Sequence, residues 1–126
     1  MSHTKAPGGK HDFEVTTGVD HRIPILWRQP NGQPTDLTGF TAYLDVRRRA
    51  GDADPALLQL GSAVPLVGIT LGGILGTITV EFTEANTALL PVGFVFYDLI
   101  MVDGAGGSKR LFHGKIKVNQ AVTIFP

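Results

Sequence analysis

The sequence predicts a single antiparallel β-sandwich that follows an extended N-terminal arm, and three observations support this prediction. Short runs of alternating apolar and polar residues recur along the chain, as expected of strands with one buried face. Turn-forming residues separate these runs, since the 126 residues include 16 Gly and 8 Pro. The beginning of the chain shows no periodicity, and polar termini of this kind become ordered only when something holds them. We therefore divide the chain into an arm, residues 1–12, and a β-sandwich domain, residues 13–126.

The composition argues against several classes of function. The 11 Lys and Arg residues equal the 11 Asp and Glu residues in number, whereas a nucleic-acid-binding protein normally has a basic excess. Because the chain has no cysteine, disulfides, thiolate catalysis and Cys-ligated zinc are excluded. No apolar run approaches the roughly 18 residues of a membrane-spanning helix, and the polar N-terminus does not resemble a signal peptide. The predicted partners therefore include neither nucleic acid nor a membrane.

Two strands are predicted at the start of the domain. Residues 13–17 alternate between apolar and polar side chains, and residues 23–27 place two isoleucines and Trp27 on one face. Pro24 lies on the other face of the second run. Because proline cannot donate a backbone hydrogen bond, Pro24 indicates an edge strand or a bulge.

A hairpin is predicted next, at the dipeptide Asn31-Gly32. Asn-Gly is typical of a type I′ turn, because both central residues of that turn take positive φ. The segment Asp36-Leu37-Thr38-Gly39 then closes the connection. Residues 40–47 follow as a strand with alternating faces. Its inward-facing residues are predicted to be Phe40, Ala42, Leu44 and Val46.

The second half of the chain is predicted to contain further short strands and one helical turn. The strands are predicted at residues 57–60, 67–71, 77–83, 94–102 and 110–118. Residues 84–90 are predicted to be helical, with Thr83 as the N-cap and Pro91 as the stop. The glycine-rich stretch 104–108 is predicted to turn the chain between the last two strands.

The number and spacing of these strands favour an immunoglobulin-like antiparallel β-sandwich. Seven or so strands at intervals of about 8–12 residues, with turns between them, are typical of that fold. A helical turn followed by an aromatic strand with Tyr97 is also typical of the tyrosine corner in Greek-key sandwiches. We assign structural roles to seven residues of these turns and strands. They are Trp27, Asn31, Gly32, Asp36, Gly39, Tyr97 and Asp98.

No group of residues indicates an enzyme, a metal site or a cofactor site. The histidines at positions 3, 11, 21 and 113 have neither the i, i+4 spacing of a helical zinc site nor a His-x-His pattern. Asp52 and Asp54 do not continue as a calcium-binding loop, because Leu57 occupies the position where glycine is required. No serine stands in a Gly-x-Ser-x-Gly motif. We therefore predict a non-enzymatic protein without cofactors.

Asp98 interrupts the otherwise apolar run 94–102. A buried carboxylate requires a partner, because an unpaired buried charge is costly. We expect Asp98 to be buried and paired, with Arg28, Arg47 or backbone N–H groups as its candidate partners.

The run 94–102 is apolar on both of its faces. One face carries Tyr97, Leu99 and Met101. The other face carries Phe94, Phe96, Ile100 and Val102. Only one of the two can fill the core of a sandwich, so the second requires cover from a loop or from another chain. This feature indicates assembly.

Two further regions are predicted to contact partners. The run Arg47-Arg48-Arg49 either contacts another subunit or solvates the end of a strand. Ordering the arm costs about 1–2 kcal/mol of backbone entropy per residue. Because the arm has almost no apolar side chain to offset this cost, we expect it to contact another polypeptide instead of its own domain. The predicted partner-binding residues are His3, Lys5, Pro7, Lys10, His11, Arg47, Arg48, Arg49, Phe94 and Phe96.

Several segments together carry a resemblance to a known family. In the first half they are the stretch from Trp27 to Phe40, with its Asn-Gly turn and Asp-Leu-Thr-Gly, and Leu44-Asp45-Val46-Arg47. In the second half they are residues 68–73, 76–80, 87–93, 97–99, 111–118 and 122–123. These segments resemble small β-sandwich modules of tailed-phage structural proteins, and they are similar in particular to the N-terminal domain of baseplate upper proteins. The resemblance extends over about residues 20–123.

The resemblance implies a structural component of a tailed-phage virion, made in the host cytoplasm without a signal peptide. It implies a tail, collar or baseplate adaptor, or a fibre-anchoring protein, present in multiple copies in a symmetric assembly with other virion proteins. A capsid decoration (cement) protein is the alternative within the same class, and the symmetry of the copies distinguishes the two. A small carbohydrate- or ligand-binding β-sandwich is the alternative from a different class, and it would require exposed aromatic residues over a concave face.

Overall fold

The computed structural model describes residues 9–49, 51 and 55–122, and strands make up nearly all of their regular structure. The strands are β1 (Gly9–Lys10), β2 (Phe13–Thr16), β3 (His21–Leu26), β4 (Thr41–Arg47), β5 (Leu58–Gly61), β6 (Ile69–Leu71), β7 (Thr77–Phe82), β8 (Gly93–Val102) and β9 (Ser108–Asn119). A 3₁₀ helix, Gly73–Leu75, precedes β7, and the α-helix α1, Glu84–Ala88, precedes β8.

The strands form two sheets that pack against each other. The large sheet has the order β1-β9-β8-β4-β5, with β2 also paired to β9, and the small sheet has the order β3-β7-β6. This is the arrangement of an immunoglobulin-like sandwich, in which β5 extends the large sheet as extra strands do in variable-type domains. The predicted fold class is confirmed. Pro24 lies on β3, an edge strand of the small sheet, as predicted.

The N-terminal strands depart from the predicted antiparallel pairing. Both β1 and β2 run parallel to β9, whereas the other named strand pairs are antiparallel. Parallel neighbours require a long connection between them. Here the connection is the whole of the domain between β2 and β9, so the first strands can enter beside the last strand and run in its direction.

The core lies between the sheets and consists of their alternate, inward-facing side chains. Those of the large sheet are Val15, Ala42, Leu44, Val46, Leu58, Leu60, Val95, Tyr97, Leu99, Met101, Leu111, Phe112, Ile116 and Val118. Those of the small sheet are Ile25, Ile69, Ile78, Val80 and Phe82. Fully burying an apolar side chain of this size contributes about 1.5–3 kcal/mol. The alternation predicted for residues 40–47 and 77–83 is therefore the pattern that builds this core.

A β-bulge in β9 breaks the alternation of that strand. Leu99 of β8 is opposite Phe112, and the next residue, Ile100, is opposite Arg110, so Leu111 has no partner across the ladder. As a result the consecutive residues Leu111 and Phe112 are both buried. A bulge also increases the local twist of a strand pair. The bulge therefore determines which residues of β9 face outward before and after Leu111.

The Asn-Gly hairpin is present, but its turn is not of the predicted type. The N–H of Gly32 donates to the Gln29 carbonyl (2.8 Å), and no non-glycine residue among those described has positive φ. Pro30 and Asn31 are therefore the central residues of a type I turn, and Gly32 (φ +87°) follows it in the left-handed region. The type I′ prediction was wrong because Pro30 fixes a negative φ and favours the second position of a type I turn.

The Asp-Leu-Thr-Gly segment forms a compact turn into β4. The Thr38 N–H donates to Asp36 Oδ1 (2.9 Å), and the Phe40 N–H donates to the Leu37 carbonyl (3.0 Å). Gly39 has φ +84° at the third position of this turn, a conformation that favours glycine. The turn buries Leu37 and brings Phe40 against Trp27.

Helix α1 begins where the sequence predicts and ends slightly earlier than predicted. The Thr83 hydroxyl accepts a hydrogen bond from the Asn86 N–H (3.2 Å), which confirms Thr83 as the N-cap. The helix ends at Ala88. The Thr87 hydroxyl then ties the helix to the chain ahead of β3, because it donates to the Val19 carbonyl (3.0 Å). In the described part of the chain, no helix has the length and apolar character needed to cross a membrane.

Candidate docking face

The central strand of the large sheet carries apolar side chains on the face that points away from the core. On its inner side, Val95 and Leu99 are buried. On its outer side, Phe94 remains 62 % exposed, and Phe96 and Ile100 are half-buried. A sheet packed on one side normally presents polar residues on the other. The second apolar face predicted from the sequence is therefore present, and no described element of the chain covers it.

Neighbouring strands complete this outer surface, which we call the docking face. From β8 it contains Phe94, Phe96, Asp98, Ile100 and Val102. From β9 it contains Lys117, Lys115, His113 and Arg110. From β4 it contains Arg47, Asp45 and Tyr43. An apolar column thus runs along β8, and a basic column runs beside it along β9.

The basic and apolar columns are in contact. Lys117 is opposite Phe94, and Lys115 is opposite Phe96, in the β8–β9 ladder. The Nζ of Lys115 lies 5.7 Å from the centroid of the Phe94 ring, within the range of a cation–π interaction. This contact holds the ammonium group above the aromatic ring on the docking face.

Two carboxylates face each other at the centre of the docking face. Asp98 of β8 is directly opposite Asp45 of β4, an arrangement that is destabilising for like charges. Asp45 accepts hydrogen bonds from Arg47 Nη2 (3.0 Å) and Gln59 Nε2 (3.3 Å). The Asp98 carboxylate makes no hydrogen bond or ion pair with the described residues. Of the two carboxylates, Asp98 is thus the one without a direct partner.

The surroundings of Asp98 alter its protonation. Partial burial raises the pKa of the Asp98 carboxyl above its ordinary value. The positive charge of Arg110 opposes this rise, the negative charge of Asp45 adds to it, and Arg47 and His113 also oppose it. The expectation of a buried ion pair was wrong. The register places Asp98 on the outer side of β8, where it is half-buried and where the basic groups act on it without contacting it.

A depression of about 560 Å³ lies over this centre. Its charged lining residues are Lys10, Asp45, Arg47, Asp98, Arg110 and Lys115, and Phe96 contributes an aromatic surface. His113 also lines the depression, and its Nδ1 atom is buried without a hydrogen-bond partner among the described residues. Charged and aromatic groups thus meet in one concave region.

The segment Gly9–Asp12, which we call the wall, borders the depression, and its Lys10 lines it. Gly9 and Lys10 pair with β9, and the His11 N–H donates to the His113 carbonyl (2.8 Å). Asp12 Oδ1 accepts a hydrogen bond from the Lys115 N–H (2.8 Å). This bond lowers the pKa of Asp12, burial partly opposes it, and the charges of Lys10, Lys115 and His11 lower it further.

For residues 9–12 the prediction of an arm that leaves its own domain was therefore wrong. The prediction weighed side chains alone, and the edge of β9 supplies backbone hydrogen bonds that offset the cost of ordering. Residues 1–8, which include His3, Lys5 and Pro7, lie outside the described residues. The boundary at residue 12 thus falls after the first strand of the sandwich.

Tyr97 anchors the same wall from the core. Its Oη donates to the His11 carbonyl (2.7 Å), whereas the hydroxyl of a tyrosine corner donates to backbone a few residues upstream. The tyrosine-corner interpretation was therefore wrong. Burial raises the pKa of the Tyr97 phenol far above its ordinary value, and the negative charge of Asp12 raises it further. The Tyr97 phenol is therefore neutral at neutral pH, as its hydrogen bond to the His11 carbonyl requires.

Gly114 allows the wall to approach β9 closely. It is opposite Tyr97 in the β8–β9 ladder. A Cβ at this position would collide with the His11 carbonyl and lie 2.7 Å from Asp12 Oδ1. A glycine inside a strand is a signal for close approach of another backbone. This signal was present in the sequence and could have located the N-terminal strand.

The structure brings together some of the predicted partner-binding residues and adds others. Lys10, Arg47, Phe94 and Phe96 lie on or beside the docking face. His11 belongs to the adjacent segment 9–12, and its ring lies beside Phe13 and Phe112. Arg48 and Arg49 are exposed just after the end of β4. Arg110, His113 and Lys115 were not predicted as site residues. The bulge in β9, which the sequence analysis did not predict, places Arg110 on the same face as the other two.

The predicted structural residues in the connection from β3 to β4 do not belong to this face. They are Trp27, Asn31, Gly32, Asp36 and Gly39. Trp27 is buried and packs edge-to-face against Phe40, with ring centroids 5.8 Å apart. Among the described residues, no cluster of three or more His, Asp or Glu side chains could hold a metal ion.

The fold has counterparts among solved structures. No family model matches the chain, and no curated protein matches it. The N-terminal domain of phage TP901-1 ORF48 aligns over 87 % of this chain and 98 % of its own length, at 14 % identity and a TM-score of 0.50. Extracellular domains 3–5 of Drosophila OTK align over 98 % of this chain and 36 % of theirs, at 14 % identity and a TM-score of 0.38. Tim-1 aligns over 100 % of this chain and 98 % of its own length, at 10 % identity and a TM-score of 0.36. The first of these likenesses shows, at a coarse level, that the chain has the fold of a phage β-domain.

Proposed function

We propose that the chain is a non-enzymatic structural component of a tailed-phage virion. It acts through protein–protein contacts as an adaptor or fibre-anchoring protein of the tail, collar or baseplate. The observation that carries this proposal is the docking face, an apolar column on the outer side of a central strand. The similarity of fold to the N-terminal domain of phage TP901-1 ORF48 supports the class of protein.

The docking face has the composition of an interface. The outer side of β8 exposes Phe94 and leaves Phe96, Ile100 and Val102 half-buried. Contiguous apolar surface rimmed by polar residues marks sites of protein association. The charged rim is supplied by β9 on one side and by Asp45 and Arg47 of β4 on the other. A partner that covers the apolar column would bury it without displacing any described element of this chain.

The capsid decoration alternative uses the same kind of face, and the two roles differ in where the copies lie. An adaptor has copies around the tail axis, whereas a decoration protein has copies across the capsid surface.

The depression of about 560 Å³ is the observation that favours a ligand-binding sandwich, because small-molecule sites have volumes of this order. Phe94 favours the structural role, since it lies outside the lining of the depression and is itself exposed.

The test is the composition and structure of particles produced by the phage that encodes the chain. Particles are purified by density gradient, and the chain is quantified against the major capsid protein by mass spectrometry. We expect a fixed copy number per particle, and density for the sandwich at the tail, collar or baseplate in a cryo-electron microscopy reconstruction. Absence of the chain from purified particles would overturn the proposal. Density spread over the capsid faces would replace the adaptor role with the decoration role.

A further inference from the structure

We infer that the docking face receives an extended acidic segment of a partner protein, whose carboxylates pair with the basic column of β9. This inference rests on the proposed function for the class of partner, which is another virion protein. The chemistry of the partner segment follows from the charges and the geometry of the docking face.

The charge around the depression differs from that of the whole chain. The chain carries 11 basic and 11 acidic residues. The lining of the depression carries four basic residues, Lys10, Arg47, Arg110 and Lys115, against Asp45 and Asp98. Asp45 is already bonded to Arg47. The remaining basic groups exceed the remaining carboxylate, so the depression attracts an anion.

Nearby charges of the described residues reduce this excess but do not reverse it. Asp12, next to Lys10, carries a negative charge that interacts with Lys10 and Lys115, so the described residues around the depression carry four basic groups against the three carboxylates of Asp12, Asp45 and Asp98. Glu14 is opposite Lys117 in the β2–β9 ladder and is hydrogen-bonded to Asn119. On the far side, Arg48 and Arg49 are exposed immediately after β4. The basic groups therefore extend across the docking face from β1 to the end of β4.

The spacing of the basic column fits an extended peptide. His113, Lys115 and Lys117 are alternate residues of one strand, so their side chains are about 6.6 Å apart. Alternate residues of an extended partner segment have the same spacing on one face. A segment with Asp or Glu at alternate positions can therefore place one carboxylate near each basic side chain while its backbone covers the apolar column.

A second copy of this chain is a poorer occupant. A two-fold axis through the centre of the docking face would stack Asp98 of one copy on Asp98 of the other. These carboxylates have no direct partner within the described part of the chain, and like charges brought together across an interface are strongly disfavoured. Charge complementarity therefore favours a different protein as the partner.

The test uses the full 126-residue chain, labelled with ¹⁵N, and a ten-residue oligoglutamate peptide as the probe. We expect the peptide to shift amide resonances of β8, β9 and residues 9–12, and to leave those of the small sheet unchanged. Its affinity should fall with rising salt concentration, because partly exposed charge pairs are screened. Shifts spread evenly over the basic residues of both sheets would overturn the inference.

Matched variants separate the docking face from general charge effects. The double variant Arg110→Gln with Lys115→Gln should weaken binding of the peptide about 2- to 30-fold, since it removes two exposed charge pairs that are individually weak. Arg22→Gln, on the outer side of the small sheet, removes a basic charge elsewhere and should leave binding unchanged. Asp98→Asn should strengthen binding, because it removes the carboxylate that repels the peptide. Equal effects of the Arg22 and Arg110–Lys115 variants would overturn the inference.

Two further probes distinguish other partners. A ten-residue oligolysine should not bind the docking face; binding tighter than that of oligoglutamate would overturn the inference. A single-stranded oligothymidine with ten phosphates that bound the same residues more tightly than oligoglutamate would assign the face to nucleic acid and overturn the acidic-protein partner. These measurements do not involve particles. The chain could thus be present in virions without binding oligoglutamate, which would refute this inference alone.

Discussion

The outer sides of the two sheets differ although both sheets use the same inner pattern. The outer side of the small sheet, which we call the threonine face, places Thr70 opposite Thr79, with Thr77 nearby on the same strand. Its charges are paired, since Arg22 Nη2 lies 3.5 Å from Glu81 Oε2. The docking face instead has exposed aromatic residues, a basic column and a carboxylate without a direct partner.

The two outer sides differ in whether contact with water alone satisfies their exposed groups. Threonine has a high strand propensity, and its hydroxyl group is satisfied by water. The threonine face therefore needs no partner. The docking face leaves apolar surface and unbalanced charge exposed, which a sheet does not need for its own stability. We therefore propose the docking face, and not the threonine face, as the side that binds a partner.

The largest expected effect is a difference in unfolding free energy between substitutions on the inner and the outer side of β8. Leu99→Ala removes a buried side chain and should cost about 2–5 kcal/mol of unfolding free energy. Ile100→Ala, the next residue on the outer side, should cost less than about 1.5 kcal/mol, because a half-buried side chain leaves no closed cavity. Urea unfolding measures both values. Equal losses would mean that the docking face is part of the core and has no free apolar surface.

The second effect concerns association. The double variant Phe94→Ser with Phe96→Ser should reduce incorporation of the chain into particles at least about 30-fold, because the loss of even one aromatic residue at the centre of an interface, about 2 kcal/mol, corresponds to about 30-fold. The control is Thr77→Ala with Thr79→Ala on the threonine face, for which incorporation should not change. Quantitative mass spectrometry of particles gives both results. A loss in the control equal to that in the phenylalanine variant would contradict the contrast between the faces.

The third effect concerns the wall of the depression. Gly114→Ala should displace residues 9–12, because the new Cβ collides with the His11 carbonyl, and overpacking of this kind costs about 1–3 kcal/mol. Gly104→Ala is the matched control, since its Cβ would meet only the Gly39 carbonyl at 3.7 Å. Amide exchange at Lys10 and His11 should accelerate in the first variant alone. Unchanged protection in Gly114→Ala would show that the wall is not held against β9.

The smallest effect is a difference in pH dependence. The pKa of Asp98 is raised in the folded state, so the folded protein gains stability as pH falls and loses it as pH rises through that pKa. Asp98→Asn should therefore be at least as stable as the unmodified chain at neutral pH, and the stabilities of the two should converge as the pH falls to and below the ordinary carboxyl pKa of 3.8. Thermal unfolding at several pH values measures this difference.

Asp36→Asn provides a control of opposite sign. The hydrogen bonds from Thr38 lower the pKa of Asp36, so its contribution is present above the ordinary value and is lost as pH falls through the folded-state pKa. The Asp36 variant should be less stable than the unmodified chain at neutral pH and should approach it in acid. The same sign for both variants would contradict the assignment of Asp98 to a partly buried position opposite a like charge, where its ionised form is unfavourable.

Local patterns in the sequence were sufficient for much of the fold. The alternation of residues 40–47 and 77–83 predicted their buried faces, because side-chain direction in a strand has a period of two. Thr83 was identified as an N-cap because its role depends on residues within one helical turn. The two apolar sides of residues 94–102 indicated the docking face for the same reason.

Long-range pairing decided what the sequence analysis missed. Whether Asp98 is buried in the core or faces outward opposite Asp45 depends on the register of two strands that are distant in sequence. The parallel pairing of β1 with β9, and the resulting Tyr97–His11 hydrogen bond, join residues at opposite ends of the chain. The bulge at Leu111 arises from the register in which β9 pairs with β8, so the sequence of β9 alone does not reveal it. Hydrophobic periodicity reports which side of one strand is buried, whereas charge clusters and backbone contacts form between strands. The sequence alone therefore determined the sandwich and its apolar outer strand, and the tertiary structure decided which charges surround that strand.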